Sequence, residues 1–309
     1  MEPCVVIGSA HRALGEQVAR EVGVAPARCT IARFPDGEIH VELGEHVAGR
    51  DVFVVQPTIA PVGETLLELL LVADAARRAG AARVIALVSY FGYARADRRT
   101  RAGQPLAARV AAALFERTLF DRVVAIDLHS APIEGFFSIP LEHLDAVPRL
   151  ASVLEEVLPE RAVIVSPDLG ASKRADALAA RWRLPVAIVH KTRVSGSDVI
   201  AREVTGDVSG RRPVIVDDMI STGGTLVTAT EALLAHGALD RPVIAATHAL
   251  CVGDSIAKLA AIGVERLVAT DSVPPPSAPF DVRVVSVAPL LADAVRHIAS
   301  SRDAALPRS

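Results

Sequence analysis

The stretch VIVDDMISTGGT, residues 214–225, ends an apolar run on two adjacent aspartates and then opens into a glycine turn flanked by hydroxyl side chains. The chain is expected to leave a strand after Val216, with Ser221, Thr222, Gly223, Gly224 and Thr225 turning into a helix. A helix entered through such a loop offers consecutive backbone N–H groups to an anion, and its dipole has the favourable sign there. Glycines let main chain approach a phosphate closely, and the hydroxyls of Ser221, Thr222 and Thr225 add donors. Asp217 and Asp218 would repel that phosphate; they suit hydroxyl groups or a metal-bound sugar beside it. Phosphate on one side and a diol on the other describe a ribose phosphate. The bland alternative is a helix cap, a glycine turn and two solvated acids. It is the better reading of TGGT alone, but two aspartates directly after a strand favour the sugar-phosphate site. Neither a G-x-x-x-x-G-K-[ST] loop nor a G-x-G-x-x-G fingerprint occurs.

Other strand ends carry further candidates. HKTRV (190–194) sets Lys191 and Arg193 two apart just past a strand, where an extended backbone turns both the same way. From one polar, glycine-containing loop running to about Gly206 they could close over a transferring anionic group; a solvated basic strand end is the equal alternative. AIDLHS presents Asp127 and His129 on one face, and SPD presents Asp168. Imidazole with carboxylate can ligate a divalent ion, although a lone strand-end histidine is more often structural. SPDLGASKRA adds a strand-to-helix loop whose backbone could cradle a diphosphate, with Lys173 and Arg174 nearby. FPDGE (34–38) reads as a β-turn, with Pro at its second position and Gly at its fourth. In YARADRR (93–99), Arg95 can stack on a base or pair with phosphate, while Asp97, Arg98 and Arg99 read equally well as a solvated charge run.

These tips need elements behind them. CVVIG, DVFVVQ, RVIALVSY, RVVAIDLH, AVIVSPD, PVAIVH, RPVIVDD, PVIAATHALC, ERLVATD and VRVVSVA read as strands. GETLLELLLVADAARRAG, LAARVAAALFERT, SKRADALAARW and TLVTATEALLAHG read as helices, several ending at glycine. Alternation of this kind predicts parallel sheets with helices on both faces. The 309 residues suit two domains, and the two halves are similar enough in length and pattern to suggest a duplication. The best boundary lies near LDAVPRLASVLEEVLPERA. The expected domains are 1–147 and 148–290, with a helix and tail over 291–309 packing back on the first.

Composition sets the limits. With 33 basic and 36 acidic residues the formal charge is −3, which gives no reason to expect nucleic acid or a membrane surface as partner. No uncharged apolar run approaches the roughly 18 residues of a membrane span. The opening residues carry an acid and no basic stretch, so no signal peptide is expected. Cys4, Cys29 and Cys251 are scattered and odd in number, as for thiols of a cytoplasmic protein.

The ordered set RFPDGEIHVEL (33–43), SYFGYARADRRTRAGQPLAARVAAAL (89–114), AIDLHSAPIEGFFSIPLEHL (125–144), SPDLGASKRADALA (166–179), HKTRV and VIVDDMISTGGT resembles the ribose-phosphate pyrophosphokinase (PRPP synthetase) family. The likeness runs from about Val5 to Ile298. It implies two tandem type I phosphoribosyltransferase-like α/β domains, parallel sheets flanked by helices, and transfer of the β,γ-diphosphoryl group of ATP to the C1 hydroxyl of ribose 5-phosphate. It implies Lys191 and Arg193 as transition-state cations, Mg²⁺ near His129 and Asp168, and ribose 5-phosphate on Asp217, Asp218, Ser221, Thr222, Gly223, Gly224 and Thr225. It implies an adenine site shared between subunits of a homo-oligomer, with Phe34 stacking, Asp36, Gly37 and Glu38 beside it, and Arg95 and Ala96 opposite. Ala96 stands where the family has glutamine, and Gly170-Ala171 where it has two glycines. A type I phosphoribosyltransferase would share only the 214–225 loop. A non-catalytic regulatory relative would lack the lid cations or metal donors, and here all are present.

Overall fold

A computed structural model describes residues 2–117, 120–193 and 200–300, with the side chains of 191–193 and 200–202 outside the description. It divides into two compact units: 2–145 joined by 287–300, and 146–286.

The first unit begins with β1 (Cys4–Ile7) and α1 (Arg12–Val22), then the hairpin β2 (Cys29–Arg33) and β3 (Ile39–Leu43). It continues through β4 (Asp51–Val55), α2 (Val62–Arg78), β5 (Arg83–Val88), α3 (Ala107–Arg117), β6 (Arg122–Ile126), a 3-10 turn at Ala131–Phe136 and β7 (Leu141–Leu144). The parallel sheet runs β1-β4-β5-β6-β7, and β2-β3 forms a separate antiparallel pair. Strand alternation divides the side chains. Cys4, Val6, Val52, Val54, Val84, Ala86, Val123 and Ala125 share one core with Leu66, Leu69 and Ala73 of α2 and Ala108 and Phe115 of α3. Ile31, Val41 and Leu43 of the hairpin pack against the same core.

The second unit comprises α4 (Val147–Val157), β8 (Ala162–Ser166), α5 (Ser172–Trp182), β9 (Val186–Arg193), β10 (Ile200–Thr205), β11 (Arg212–Ile220), α6 (Gly224–Ala235), β12 (Val243–Ala249), α7 (Ser255–Ala261), β13 (Arg266–Thr270) and β14 (Asp281–Val285). Its sheet runs β10-β9-β8-β11-β12-β13-β14, parallel except for β10 against β9. Val163, Val165, Ile215, Ile244 and Ala246 face a core with α6, while Ala162, Ile164, Val214, Val216, Val243 and Ala245 face one with α4 and α5. Near-continuous apolar runs are what a sheet covered on both faces requires.

The element orders repeat. β1-α1-β2-β3-β4-α2-β5-α3-β6-β7 matches β8-α5-β9-β10-β11-α6-β12-α7-β13-β14. The main departure is that β2-β3 stands apart from its sheet, whereas β9-β10 joins the second. The chain's last described helix, α8 (Ala288–Ser300), packs on α1. Arg296 Nη1 donates to Glu21 O at 2.7 Å and Arg83 Nη2 to Ile298 O at 2.9 Å. β2, β3, β7 and β10 lay beyond the strand reading, being short, partly exposed or at an edge.

Candidate sugar-phosphate site

In the second unit, β8 lies between β9 and β11. The chain leaves β8 towards β9 and later returns to its other side as β11, so the strand order reverses there. Such a switch point opens a crevice at the C-terminal ends of the two strands. Asp168 follows β8, and Asp217, Asp218 and the 221–225 loop belong to β11 and its exit.

The expected strand end at Val216 is corrected by the structure. β11 loses β8 as a partner after Ile215, because β8 itself stops at Ser166. It stays paired with β12 as far as Ile220 opposite Ala249. The two aspartates therefore sit on a strand shoulder rather than in a loop. Asp218 N–H donates to Asp217 Oδ1 at 2.8 Å. Burial holds the Asp217 carboxyl well above the usual carboxylate range, and the nearby charges of Asp218 and Asp168 push it further up. The three acids thus crowd one end of one unit.

Beyond Ile220 the chain passes Ser221 and exposed Thr222 to Gly223, the residue before α6, at φ 75°. This left-handed turn is cheap only for glycine. No side chain caps the start of α6, so the dipole end and first-turn donors keep the character of an anion site. The loop is fixed from behind. Cys251 N–H donates to Ile220 O at 2.9 Å and Val252 N–H to Ser221 O at 3.0 Å. The part Cys251 and Val252 play in the site carried no signal in the sequence, because it is made by main-chain atoms.

The 168–171 loop is closed by its own acid: Asp168 Oδ1 accepts Gly170 N–H at 2.8 Å and Ala171 N–H at 3.3 Å. Ala171 is buried, and Lys173 is exposed on the first turn of α5. Carboxylate oxygens of this kind fit magnesium, which takes one or two protein oxygens and fills its octahedron with water and substrate phosphate. Among the described residues no three His, Cys, Asp or Glu side chains converge into a closed metal cage. Lys191 and Arg193 close β9 opposite Arg202 and Ile200 of β10. Their side chains lie outside the description, as do residues 194–199 of the expected lid.

The first unit holds the remaining predicted residues. FPDGE forms the expected turn: Gly37 N–H donates to Phe34 O at 2.9 Å, Phe34 N–H to Glu38 O at 2.9 Å and Glu38 N–H to Asp36 Oδ1 at 3.1 Å. Phe34 is 49% exposed at the tip, edge-on to His40. Arg95 is exposed and Ala96 half-buried. Asp97 is not simply solvated: it accepts Ser130 Oγ–H at 2.6 Å, tying this loop to the one bearing His129. The expected common face for Asp127 and His129 fails. β6 ends at Ile126, and Asp127 turns to φ 38°, so strand alternation stops before either residue. Asp127 is buried and His129 exposed.

Two α/β units, one with a switch-point loop made for an anion beside paired acids, define a phosphoribosyltransferase-type protein. Residues 4–118 match the model of the N-terminal domain of ribose phosphate pyrophosphokinase, and residues 142–262 that of the phosphoribosyl transferase domain. A ribose-phosphate pyrophosphokinase of Caldanaerobacter subterraneus subsp. tengcongensis is 40% identical over 95% of this chain and 94% of its own. That of Oceanobacillus iheyensis is 37% identical over 92% and 90%. The crystal structure of phosphoribosylpyrophosphate synthetase from Mycobacterium smegmatis superposes with a TM-score of 0.90 at 36% identity, covering 96% of this chain and 99% of that one. The chain belongs to the ribose-phosphate pyrophosphokinase family.

Proposed function

We propose that the chain transfers the β,γ-diphosphoryl group of Mg-ATP to the C1 hydroxyl of ribose 5-phosphate, giving 5-phosphoribosyl 1-diphosphate and AMP. The observation that carries this reading is the uncapped α6 start, entered through left-handed Gly223 beside Asp217 and Asp218. The 5-phosphate takes the N–H groups and hydroxyls of 221–225, and the acids accept the ribose hydroxyls. Holding the C1 oxygen in line with the β-phosphorus converts an encounter into an oriented attack, the main contribution a protein makes to such transfers. Lys191 and Arg193, same-face positions on β9, carry the charge that grows on the transferring oxygens. Asp168, and separately His129 in the other unit, are the proposed magnesium donors; the ion when bound neutralises phosphate charge. Phe34, Asp36, Gly37 and Glu38 meet adenine on the partner chain of a homo-oligomer, opposite Arg95 and Ala96. The exposed Phe34 ring at a hairpin tip suits stacking of this kind. The free thiols and near-even charge suit a cytoplasmic enzyme, and no helix among the described residues is long and apolar enough to cross a membrane.

The test is AMP release from ATP that depends on ribose 5-phosphate. Lys191→Ala is expected to lower turnover by about 10²-fold or more, the size expected when one transition-state charge contact is lost. An unaltered circular dichroism spectrum would accompany it. Full activity in that variant removes Lys191 from the mechanism.

A further inference from the structure

Strand registers fix which residues correspond at the last two strands of each unit. β6 meets β7 with Val123 beside Leu141, Ala125 beside His143 and Ile126 beside Leu144. β13 meets β14 with Leu267 beside Val282, Ala269 beside Val284 and Thr270 beside Val285. The strand exits keep the match: Asp127 N–H donates to Leu144 O at 3.0 Å, and Asp271 N–H to Val285 O at 3.1 Å. Leu128 therefore corresponds to Ser272, and His143 to Val284.

At the next N–H the two units part. In the second, Ser272 N–H donates to Thr270 Oγ1 at 3.1 Å, a hydroxyl two residues back. Ile126 stands in the place of Thr270 and offers no acceptor on its side chain. In the first unit Leu128 N–H donates instead to Nε2 of His143 at 2.9 Å, on the neighbouring strand. An accepting Nε2 carries no hydrogen, so the ring's proton sits on Nδ1. Val284 could not act in this way. His143 is exposed on β7, the edge strand of its sheet, so burial does not call for an imidazole there.

The N–H that His143 holds belongs to the residue before His129. Asp127 leaves the strand at φ 38°, Leu128 is buried and His129 is exposed. On the other side of His129, Ser130 Oγ–H donates to Asp97 Oδ2 at 2.6 Å. His129 thus stands between two anchors, and the nearer strand supplies the first of them through one side chain.

We propose that His143 is a positioning residue: by holding Leu128 N–H it sets the turn from which His129 is presented to magnesium. The magnesium role of His129 rests on the proposed function; the hold on Leu128 does not. Groups that orient a metal ligand from behind typically change metal affinity by about 10- to 100-fold when removed.

The test has one readout without metal and one with it. Amide hydrogen exchange across 127–130 is followed by mass spectrometry in metal-free protein without nucleotide, for the parent chain, His143→Val and His143→Gln. Valine is the residue at this register in β14 and suits an edge strand, while a glutamine carboxamide can present an acceptor oxygen where Nε2 lies. His143→Val is expected to speed exchange at Leu128 by about fivefold or more, as for the loss of one hydrogen bond. Asp127, bonded to main chain, should exchange as in the parent, and His143→Gln should restore protection at Leu128. With metal, the Mg²⁺ concentration giving half-maximal ribose 5-phosphate-dependent AMP release should rise about tenfold or more in His143→Val. It should return towards the parent value in His143→Gln. Unchanged Leu128 exchange in His143→Val overturns the hold, and faster exchange with an unshifted Mg²⁺ requirement overturns the positioning role. If His143→Val does not fold, His143→Phe takes its place with the same readouts. A parent chain that releases no AMP would count against the proposed function and leave the exchange result standing.

Discussion

At the residue scale the site depends on one backbone angle. Gly223 holds φ 75° where the chain swings from β11 into α6. A Cβ there would meet Ser255 O at 3.5 Å, an ordinary contact, so space does not decide the matter; the left-handed conformation does. Gly223→Ala should cost about 1–2 kcal/mol of stability. Relaxation of that strain would move the 221–225 donors, and small misplacements of positioning groups are catalytically expensive. The expected loss is roughly 10- to 100-fold in kcat/KM for ribose 5-phosphate. Steady-state kinetics with the sugar phosphate varied would check it; an unchanged kcat/KM would show that the loop tolerates the methyl. Gly223 was readable as a turn glycine, but the buttress from Cys251 and Val252 was not.

At the element scale, β13 and β14 are pinned at their first residues. Arg266 and Asp281 are register partners, and Arg266 Nε donates to Asp281 Oδ2 at 2.6 Å; Arg283 Nε adds a bond at 3.1 Å. The Arg266 bond first, and Arg283 after it, hold the Asp281 carboxyl below its ordinary value of 3.8. An acid with a depressed folded value contributes its stability above the unfolded value and loses it as pH falls through the folded one. The pair is largely solvated, so its contribution is about 0.2–1 kcal/mol. Asp281→Asn should therefore lower Tm by about 1–3 °C at pH 7, with the gap closing as the pH is taken below 3.8. Unfolding curves from pH 7 to pH 3 test this, and a gap independent of pH would assign the loss to packing instead.

At the scale of the whole molecule, one unit is continuous in the chain and the other is not. Residues 146–286 form the second unit alone, whereas the first needs α8 from beyond them. Leu291, Val295 and Ile298 are buried. Three such side chains are worth about 1.5–3 kcal/mol each on burial, together comparable with the 5–15 kcal/mol total stability of a typical domain. A fragment of residues 1–145 should therefore fail to give a cooperative unfolding transition until a peptide of residues 287–300 is added, while 146–286 should fold by itself. Calorimetry of the fragments, alone and mixed, decides this. Independent folding of 1–145 would make α8 an accessory rather than a part of the core.

The sequence by itself determined the α/β class, because apolar runs of strand length alternating with amphipathic segments have few other ways to be buried. It also determined the turn at 34–38 and the glycine turn that leads into α6, since proline and glycine act on their immediate neighbours. Tertiary structure alone decided that β11 runs on to Ile220, because its second partner comes from β12. It alone showed that Asp127 breaks the line to His129, that Asp168 shares an electrostatic neighbourhood with Asp217, and that Glu68 reaches Ser9 across 59 residues. Each of these is a contact between distant parts of the chain. Local residue preferences are blind to such contacts, and only the closing of the sheets brings the partners within reach.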